Sequence, residues 1–521
     1  MERRIFGLET EYGIQVDGIK ELDVVVESIE LIRCYLDQKF VARWNYRYEN
    51  PRRDARGFEV DELLNDKDET LHIQRDSGHQ LSLKELKSDL IITNGARLYN
   101  DHTHPEYSTP EVFSLKDLIT YDRAGERILF QCAQRRTRER MDNGTVRLYK
   151  NNTDFEGHSY GCHENYLIRR DIPFQVVIDS LVPFLVTRQI FAGSGKVGVE
   201  MDRCAEPAVF QLSQRSDFFE CIASIDTMTR RPLVNTRDEP HADASVFRRL
   251  HLINGDANMS EYATSLKVGT MLLVLRLMED NNLPEWELAD PVGAVKAISR
   301  DPKRSWEVEL RDQHHTTAIE IQRAYLGRAK NMSLGKDPET DWVLGEWEAT
   351  LTALEHDPKK LIGKCDWVTK QWVLEDFAES EGLDWDNLEH LAWLQSQDLE
   401  YHNINPSEGL FMMLEADGIC ARVSEEEEVV SSLVEPPAGT RAFFRGRCLQ
   451  KFGSYVRSLN WDRIEFVIDG QVKTVDLKGC VDQESAAYYN EALDAADSVE
   501  DLFARLAPAP GPASAKEASD G

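Results

Sequence analysis

Acidic side chains recur at alternating positions near the start of the chain. Residues 3–16 alternate in hydrophobicity as a β-strand does, and Glu9 and Glu11 fall on the same face of that strand. Carboxylate oxygens are the ligands that Mg²⁺ prefers, usually together with the phosphates of a substrate. Two carboxylates on one strand are more often a solvated surface, so the prediction of a metal site depends on matching groups elsewhere.

A second strand carries three polar side chains at the same spacing. Arg97, Tyr99 and Asp101 lie at i, i+2 and i+4, and Glu106 follows just beyond a turn. A guanidinium group can donate two parallel hydrogen bonds to phosphate oxygens, and Glu106 adds a third carboxylate for Mg²⁺. A carboxylate such as Asp101 can accept a proton or attack an acyl centre. Together, these residue types indicate chemistry on a nucleotide.

Two later segments add histidine side chains. His163 and Asn165 share one face of a predicted strand, with Glu164 on the other face. The segment Asn-Thr-Arg-Asp-Glu-Pro-His-Ala-Asp-Ala at 235–244 concentrates charge around His241. A lone histidine is more often structural, but one flanked by carboxylates is a candidate for contact with a metal ion or a phosphate.

Two other patterns resemble known sites but lack the context that those sites need. Gly-Ser-Gly-Lys-Val-Gly at 193–198 fits a dinucleotide-binding fingerprint, yet it follows a predicted helix at 173–192 instead of a strand. It also fails as a P-loop, because valine follows Lys196 where serine or threonine is needed. The histidines at 102 and 104 lack the spacing and the partners of a zinc site. A nucleotide must therefore be held by another scaffold.

The elements that must position these residues are of both kinds. Strand patterns and helical patterns come in groups instead of alternating strictly, which favours an α+β fold with an antiparallel sheet. The predicted strands lie at 91–101, 145–152, 163–169 and 246–254, and the predicted helices at 20–40, 115–140, 173–192, 260–280 and through most of 284–400. The last stretch is rich in tryptophan, which indicates packing and not a cofactor site.

The pattern predicts two domains and a tail. Residues 1–430 form the predicted catalytic domain, in which 43–90 is a highly charged insertion loop near the site. Residues 431–506 form a predicted small C-terminal domain, with strands at 441–446 and 463–468 followed by an amphipathic helix near 484–506. The tail at 507–521 is too poor in apolar residues to fold, so it is predicted to be disordered.

Composition excludes several classes of function. A formal net charge of −31 over 521 residues argues against nucleic acid as the main partner, because phosphate binding needs a basic face. No apolar run is long enough to cross a membrane, and the first residues do not resemble a signal peptide. The nine scattered cysteines contain no Cys-x-x-Cys pair, which is typical of a reduced, cytoplasmic protein. Local clusters of arginine leave room for an acidic protein partner.

On these residues, the chain resembles the family of Pup ligases and Pup deamidases/depupylases, which are relatives of glutamine synthetase. The resemblance extends over about residues 1–505 and rests on long motifs in a fixed order. These motifs are Gly-Leu-Glu-Thr-Glu-Tyr-Gly at 7–13, Asn-Gly-Ala-Arg-Leu-Tyr at 94–99, His-Pro-Glu-Tyr at 104–107, Ser-Tyr-Gly-Cys-His-Glu-Asn-Tyr-Leu at 159–167 and the segment at 235–244.

The resemblance implies a glutamine-synthetase-like fold, in which helices back a curved cradle of antiparallel sheet and a small C-terminal domain follows. It implies that Asp101 is the catalytic acid/base or nucleophile. The implied Mg²⁺ ligands are Glu9, Tyr99 and Glu106, with Glu11, His163 and His241 as further candidates. The implied ATP contacts are Arg97, Thr109 and Trp461, with Arg215 and Arg237 as candidates near the phosphates. Because Trp461 lies in the C-terminal domain, ATP would bridge both domains.

The resemblance also implies an activity. A long insertion before Asn94, around 53–58, and the short spacing from Asp101 to His104 resemble the depupylase branch of the family. That branch uses ATP and Mg²⁺ to cleave the isopeptide bond between the C-terminal glutamate of Pup and a substrate lysine, and to deamidate Pup that ends in glutamine. Pup and pupylated proteins are the implied partners of a monomeric enzyme. The alternatives are a Pup–protein ligase, a small-molecule γ-glutamyl ligase and a catalytically idle Pup-binding module.

Overall fold

A computed structural model of the chain describes residues 4–36, 42–63, 89–200, 210–227 and 230–506. The strands of these residues are β1 (Phe6–Glu11), β2 (Gly13–Val16), β3 (Ala42–Arg43), β4 (Leu90–Ile91), β5 (Arg97–Asp101), β6 (His104–Ser108), β7 (Val146–Tyr149), β8 (Cys162–Arg169), β9 (Lys196–Val197), β10 (Phe210–Gln211), β11 (Cys221–Ser224), β12 (Pro232–Asn235), β13 (Phe247–Gly255), β14 (Glu307–Glu309), β15 (His315–Thr317), β16 (Val456–Asn460), β17 (Arg463–Ile468) and β18 (Gln471–Asp476).

Helices begin where a polar side chain can satisfy the free amides of the first turn. Asp23, Ser114, Ser260 and Thr317 each accept such a bond at the start of a helix. The helices are α1 (Val24–Arg33), α2 (Leu115–Glu139), α3 (Phe174–Thr187), α4 (Gln189–Ala192), α5 (Glu261–Glu279), α6 (Pro291–Arg300), α7 (Ala318–Ser333), α8 (Pro338–His356), α9 (Asp366–Glu381), α10 (Leu388–Tyr401), α11 (Leu410–Ala416), α12 (Glu426–Ser432), α13 (Arg441–Phe452), α14 (Gln483–Ala495) and α15 (Val499–Leu506).

The largest sheet has nine strands in the order β11, β12, β13, β8, β1, β6, β5, β4, β3. Neighbouring strands run antiparallel, except that β11 and β12 run parallel. The strand nearest the N-terminus, β1, therefore lies in the middle. The prediction of an α+β fold built on an antiparallel sheet is confirmed, with one parallel pair at its edge.

One face of the sheet is covered by helices and the other carries polar groups. Along β1, Phe6, Leu8 and Thr10 are buried. Glu9 and Glu11, which alternate with them, are only partly buried. The predicted strand at 3–16 is interrupted after Glu11, since β2 leaves this sheet to pair with β7. The alternation in the sequence thus separates a helix-covered face from a face that can hold chemistry.

The core behind the sheet is formed largely by α3, α5, α7 and α8. Their apolar side chains pack in one cluster with those of β1, β8 and β13. Trp306, Trp347 and Trp367 are among the largest fully buried side chains, as predicted for tryptophans used in packing. Glu164, predicted on the face opposite His163, is buried there and accepts a hydrogen bond of 3.0 Å from Arg188 Nη1.

The region after residue 430 differs from its prediction in one element. The predicted strand at 441–446 is wrong, because this segment forms the first half of α13. Thr440 caps that helix, and Phe444, Cys448 and Leu449 recur at helical spacing to face the three-stranded sheet of β16 to β18. The predicted helix at 484–506 is present as α14 and α15. A separate domain at 431–506 stays a prediction, since its core cluster also includes Trp44.

Parts of the two predicted irregular segments lie within the described residues. Within the predicted loop at 43–90, a 3-10 turn at Tyr46–Tyr48 leads to a turn at residues 50–59, where Ala55 N donates to Thr236 O over 2.7 Å. Residues 64–88 and the predicted disordered tail lie outside the described residues. Within the described residues, no helix is both long enough and apolar enough to span a membrane.

Candidate active site

The polar face of the central strands gathers the side chains that the sequence singled out. Glu11 lies opposite Glu106 across the β1/β6 pair, and Glu106 lies opposite Tyr99 across the β5/β6 pair. On the other side of β1, Glu9 lies opposite His163. Because directly opposite residues of antiparallel strands point to the same face, these side chains converge from four neighbouring strands.

Three carboxylates form the first group. Ligand oxygens of Glu11, Asp101 and Glu106 lie within 4.8 Å of one another. Burial, followed by the negative charges of Asp101, Glu9 and Glu11, raises the pKa of Glu106 well above its ordinary value. Burial also raises the pKa of Glu11, against the opposing effect of His163. Carboxylates this close together require a compensating positive charge if all of them are to be ionised.

Hydroxyl groups fix the orientation of Glu106. Tyr99 Oη donates to Glu106 Oε1 over 2.7 Å, and Ser108 Oγ donates to the same oxygen over 3.3 Å. Burial and the charge of Glu106 raise the pKa of Tyr99 well above its ordinary value, so this phenol is neutral. Tyr99, predicted as a metal ligand, thus lies beside the three carboxylates of the first group and donates a hydrogen bond to one of them, Glu106.

One carboxylate and two imidazoles form the second group. Glu9 Oε2 lies 3.3 Å from His163 Nδ1 and 3.6 Å from His251 Nε2, and Glu9 Oε1 lies 3.6 Å from Arg249 Nη1. Burial alone would raise the pKa of Glu9, but His163, His251 and Arg249 together lower it well below its ordinary value. Glu9 is therefore a carboxylate anion.

His251 is a site residue that the sequence prediction missed. Burial lowers the pKa of His251 to about 3, and neither of its ring nitrogens has a hydrogen-bond partner among the described residues. It reaches the second group because β13 pairs with β8, which places His251 opposite Asn165 and beside His163. The alternation Arg248-Arg-Leu-His-Leu was the available signal, since it puts Arg249 and His251 on one face.

His241, the predicted ligand, occupies a different place. It is in neither group of potential ligands that the described residues form. Its ring lines a pocket together with Thr109 and Trp461, and its carbonyl oxygen accepts a hydrogen bond from Arg441 Nη1. Burial, then the nearby charges of Arg249 and Arg441, lower the pKa of His241 well below its ordinary value, so the ring is neutral.

The pocket beside the second group is the candidate nucleotide site. Its wall includes Glu9 and Thr109 from the sheet and Trp461 from the C-terminal region. Thr109 Oγ1 accepts a hydrogen bond of 3.0 Å from Leu8 N, which anchors this end of β6 to β1. The pocket thus lies between the sheet and residues 441–461. The binding of ATP there, which the resemblance implies, stays a prediction.

Arg97 lies at the opposite end of β5 from Asp101. Its guanidinium group stacks over Trp44 at 4.0 Å and over Tyr99 at 3.8 Å, and its Nε donates to Asp89 Oδ1 over 2.8 Å. Two aromatic faces and one carboxylate hold this side chain in a single orientation. It is therefore a pre-positioned cation on the strand that carries Asp101.

Arg215 is buried beside the first group. Its Nη1 donates to Tyr160 O over 3.1 Å, while its Nε has no hydrogen-bond partner in the described part of the chain. Burial and the charge of Arg231 lower the pKa of Arg215 to about 10, whereas Glu11 acts in the opposite direction. Such a cation, with a free donor near three carboxylates, suits an anionic ligand.

Arg237 lies farther out. Its backbone pairs with that of Asp54 in the turn at 50–59, and its charge acts on Glu239. Glu239 in turn lies 3.7 Å from Arg249 Nη2, so Arg237 connects to the second group through two intermediate side chains.

These side chains fit divalent cations bound with nucleotide phosphates. Two groups of hard oxygen and imidazole ligands lie next to each other, and burial together with crowded carboxylates raises the pKa of Glu106. The ring nitrogens of His251 lack hydrogen-bond partners among the described residues. A bound cation would satisfy all three features. Arg215 and the pocket at Thr109 would then face the phosphates and the rest of a nucleotide.

A comparison with known protein families identifies the relatives of this fold and site. The family model described as "Pup-ligase protein" matches residues 4–465, which is most of the chain. The chain belongs to the Pup ligase family. Its predicted membership is thereby confirmed.

Individual members of the Pup ligase family match over similar lengths. The chain is 42% identical over 520 residues to a protein of Acidothermus cellulolyticus named depupylase, covering 96% of this chain and 99% of that protein. It is 39% identical to the Pup deamidase/depupylase of Mycolicibacterium smegmatis, covering 97% and 99%. It is also 42% identical to the Pup–protein ligase of Acidimicrobium ferrooxidans, but over 401 residues that cover 75% and 86%.

Solved structures of the family share the fold. The ligase PafA in complex with the prokaryotic ubiquitin-like protein Pup matches with a TM-score of 0.75 at 31% identity, covering 97% of this chain and 94% of that one. PafA in complex with ADP matches with a TM-score of 0.71 at 34% identity, covering 84% and 97%.

Proposed function

We propose that this chain is a depupylase. It hydrolyses the isopeptide bond between the C-terminal glutamate of Pup and lysines of tagged proteins, and it deamidates Pup that ends in glutamine. The observation that carries the proposal is identity across nearly the whole length to proteins named depupylase and Pup deamidase/depupylase. The match to a ligase of equal identity covers a smaller share of the chain.

The proposed cofactors are ATP and Mg²⁺. A family member has been solved with ADP, and the two groups of ligands around Glu9 and Glu106 suit cations that bridge phosphates. Bound Mg²⁺ supplies positive charge that polarises an acyl or phosphoryl oxygen. In the proposed arrangement, Thr109 and Trp461 contact the nucleotide, and Arg97 and Arg215 face anionic oxygens.

The proposed catalytic residue is Asp101. It lies at the end of β5 in the hairpin that returns to His104, so its carboxylate is at the open margin of the first group. There it can take a proton from an attacking water, or attack the γ-carbonyl carbon itself. The free Nε of Arg215 provides a donor for the oxyanion that develops.

Replacement of Asp101 tests this role. Asp101→Asn is expected to abolish cleavage of a purified Pup conjugate, followed by gel electrophoresis in the presence of ATP and Mg²⁺. The same variant should still bind nucleotide in calorimetry, because Asp101 does not line the pocket at Thr109 and because Glu11 and Glu106 remain to hold a cation. Normal cleavage by the variant would remove Asp101 from the mechanism.

The same incubation separates the proposed activity from its alternatives. Release of free Pup from a conjugate supports the depupylase, whereas accumulation of conjugate from free Pup and a lysine-bearing protein would establish a Pup–protein ligase. Release of ADP with glutamate and small amines alone would indicate a γ-glutamyl ligase.

The proposal includes the setting of the reaction. Pup and pupylated proteins are the partners of a monomer, in which the catalytic domain at 1–430 and the smaller domain at 431–506 close around the nucleotide. The eight cysteines in the described ranges are free thiols, and we place the enzyme in the reducing cytoplasm. Light scattering of the purified chain tests the monomer.

A further inference from the structure

A buried cluster of polar side chains surrounds the glycine-rich segment at 193–198. Gly195 in this segment has a φ of +74°, in the left-handed region that favours glycine, and a Cβ there would lie 2.9 Å from Phe210 Cζ. In this conformation, Gly195 O accepts hydrogen bonds of 2.7 Å from Lys370 Nζ and 3.1 Å from Gln214 Nε2. The segment that resembles a nucleotide motif in sequence thus binds side chains of the protein itself.

Lys370 and His402 form the centre of this cluster. Lys370 lies in α9 and His402 directly follows α10, and both side chains are fully buried. Lys370 Nζ lies 2.7 Å from His402 Nε2 and also donates to Asp398. The second carboxylate oxygen of Asp398 accepts a hydrogen bond of 2.8 Å from Val197 N. Buried polar groups therefore join two helices to the glycine-rich segment.

The surroundings of His402 determine its tautomer. Nδ1 lies 2.7 Å from Lys150 O, which can only accept, so Nδ1 carries the proton. Burial, and then the charge of Lys370, lower the pKa of His402 well below its ordinary value, so the ring is neutral and Nε2 is an acceptor. Nε2 accepts from Lys370 Nζ and, over 2.9 Å, from Gln214 Nε2. His402 therefore fixes which way the amide of Gln214 points.

Gln214 in turn fixes the surroundings of Arg215, its neighbour in the chain. Gln214 Oε1 accepts a hydrogen bond of 2.7 Å from Asn152 N, and Asn152 Nδ2 donates to Tyr160 O over 3.0 Å. Tyr160 O is also the acceptor of the 3.1 Å bond from Arg215 Nη1. One glutamine thus connects His402 with the carbonyl group that holds the guanidinium of Arg215.

Asp256 holds the backbone of the same loop. Its carboxylate accepts hydrogen bonds of 2.9 Å from Gln214 N, 3.2 Å from Arg215 N and 2.9 Å from Ser213 Oγ. It also accepts a bond of 2.8 Å from Ser194 N in the glycine-rich segment. Four donors on one buried carboxylate leave the loop little freedom to move.

We propose that Lys370 and His402 are positioning residues for the proposed reaction. Acting through Gln214, they hold the Arg215 guanidinium beside the first group of carboxylates, where its Nε meets the developing oxyanion. The inference rests on the proposed function, in which Arg215 is that donor. Stability alone does not require such a cluster, because apolar residues of similar volume often replace buried ion pairs without loss. A donor that must be oriented before the reaction does require rigid support.

Two buried glutamines provide a matched test. Gln214→Met removes the amide with little change in volume, and it should lower kcat for conjugate cleavage about tenfold to a hundredfold. KM should change less than about twofold, because Arg215 acts on the oxyanion. Gln322 is equally buried, and its Nε2 donates over 3.1 Å to Phe184 O and over 2.8 Å to Thr187 Oγ1. Gln322→Met should leave kcat unchanged, even if its melting temperature falls as much.

Two replacements of His402 separate the roles of its two ring nitrogens. The amide nitrogen in His402→Asn can replace Nδ1 and donate to Lys150 O, but this variant lacks an acceptor in the place of Nε2. The longer side chain in His402→Gln can bring its amide oxygen to the place of Nε2. His402→Gln is therefore expected to retain more of kcat than His402→Asn. Equal losses of kcat would contradict a role for Nε2 in orienting Gln214.

A double-mutant cycle tests whether the effect passes through Arg215. Arg215→Lys keeps the positive charge but removes Nε. In this background, Gln214→Met should lower kcat little further, because the donor that it misplaces is already gone. Additive losses would overturn the proposal, and so would a loss of kcat in Gln322→Met equal to that in Gln214→Met.

Hydrogen–deuterium exchange distinguishes this inference from the proposed function, because it is measured without cleavage. Peptides that cover residues 212–216 should exchange faster in Gln214→Met than in the unmodified enzyme. Unchanged exchange in these peptides would refute the positioning role. An unmodified enzyme that leaves Pup conjugates intact would instead refute the depupylase, whatever the exchange of this loop.

Discussion

Negative charge converges on one residue of the candidate site. Glu106 receives hydrogen bonds from Tyr99 and Ser108, and lies within 4.8 Å of the oxygens of Glu11 and Asp101. Burial, and then the repulsion among these carboxylates, raise the pKa of Glu106. The repulsion among these carboxylates lowers the stability of the metal-free protein, and the same carboxylates give the site affinity for a divalent ion.

Glu106→Gln separates stability from metal binding. Removing one negative charge should leave the metal-free protein as stable as the unmodified protein or more so. The rise in melting temperature on adding Mg²⁺, which follows from binding to the folded state alone, should then shrink or vanish. Thermal melts with and without Mg²⁺ measure both effects, and Glu428→Gln, an exposed partner of Lys116, is the control. A full response to Mg²⁺ in Glu106→Gln would refute this role.

Gly161 is the place where a single methyl group should disturb the site. A Cβ at this position would lie 2.8 Å from Glu11 Oε1 and would also clash with His163 Nε2. Gly161→Ala is therefore expected to abolish cleavage while the far-ultraviolet circular dichroism stays unchanged. Gly327→Ala in α7 is the control, since a Cβ there meets no atom within 4 Å and should stabilise the helix by about 0.5–1 kcal/mol.

Local patterns predicted most of the site residues, but not how the segments meet. Strand alternation placed Glu9 and Glu11 on one face, and the structure brings Glu11 opposite Glu106 on the neighbouring strand. His251 was missed because its position depends on the pairing of β13 with β8, across 86 residues from Asn165 to His251. A local sequence pattern does not predict which residues of two distant strands lie opposite each other.

At the scale of elements, α13 connects the sheet to the C-terminal region. Glu111, just beyond β6, is buried and pairs with Arg441 and Arg445 of this helix. Arg445 Nη1 also donates to Trp461 O over 2.8 Å, and Arg441 holds the carbonyl of His241. One carboxylate thus fixes two arginines that shape the wall of the nucleotide pocket.

The wrong prediction for 441–446 has a related cause. Arg-Ala-Phe-Phe-Arg-Gly is a short apolar run between two arginines, and periodicity over so few positions cannot separate a strand from a helix. The helical outcome is set by the cap at Thr440 and by the burial of Arg441 and Arg445 against Glu111, a partner more than three hundred residues away. An analysis of hydrophobicity predicts that arginine side chains are exposed, so it does not detect arginines that are buried in ion pairs.

Glu111→Gln tests this connection. Loss of the carboxylate leaves two buried guanidinium groups without their partner, and the free energy of unfolding should fall by about 3–5 kcal/mol in urea titrations. Nucleotide affinity measured by calorimetry should fall as well, because Trp461 loses the support of Arg445. Glu435→Gln removes an exposed partner of Arg447 on the same helix, and should cost about 0.5 kcal/mol or less. Equal losses in the two variants would contradict the connection.

At the scale of the whole molecule, charge is unevenly distributed. The net charge is −31, yet Arg249 and Arg441 line the candidate nucleotide site. A second cleft is lined by Arg53, Arg56, Arg170 and Arg248. An acidic partner must therefore be attracted locally against an unfavourable long-range field, and salt screens both contributions.

Pup affinity is expected to depend strongly on ionic strength. At short range the arginines outweigh the distant carboxylates, so the dissociation constant should increase steadily between about 50 and 300 mM salt. Anisotropy titrations with labelled Pup give this dependence, and titration of the uncharged osmolyte sucrose over a matched range is the control. An affinity that does not change with salt would argue against a basic binding surface.

The position of β1 has a consequence for biosynthesis. This strand consists of residues 6–11, yet it lies between β6 and β8, which end at residues 108 and 169. During translation, β1 leaves the ribosome before both of these neighbours, so one of its hydrogen-bonding edges stays unpaired for about a hundred further residues and the other for about a hundred and fifty. The nascent chain therefore carries an unpaired strand that can pair with other polypeptides until β6 and β8 have been made.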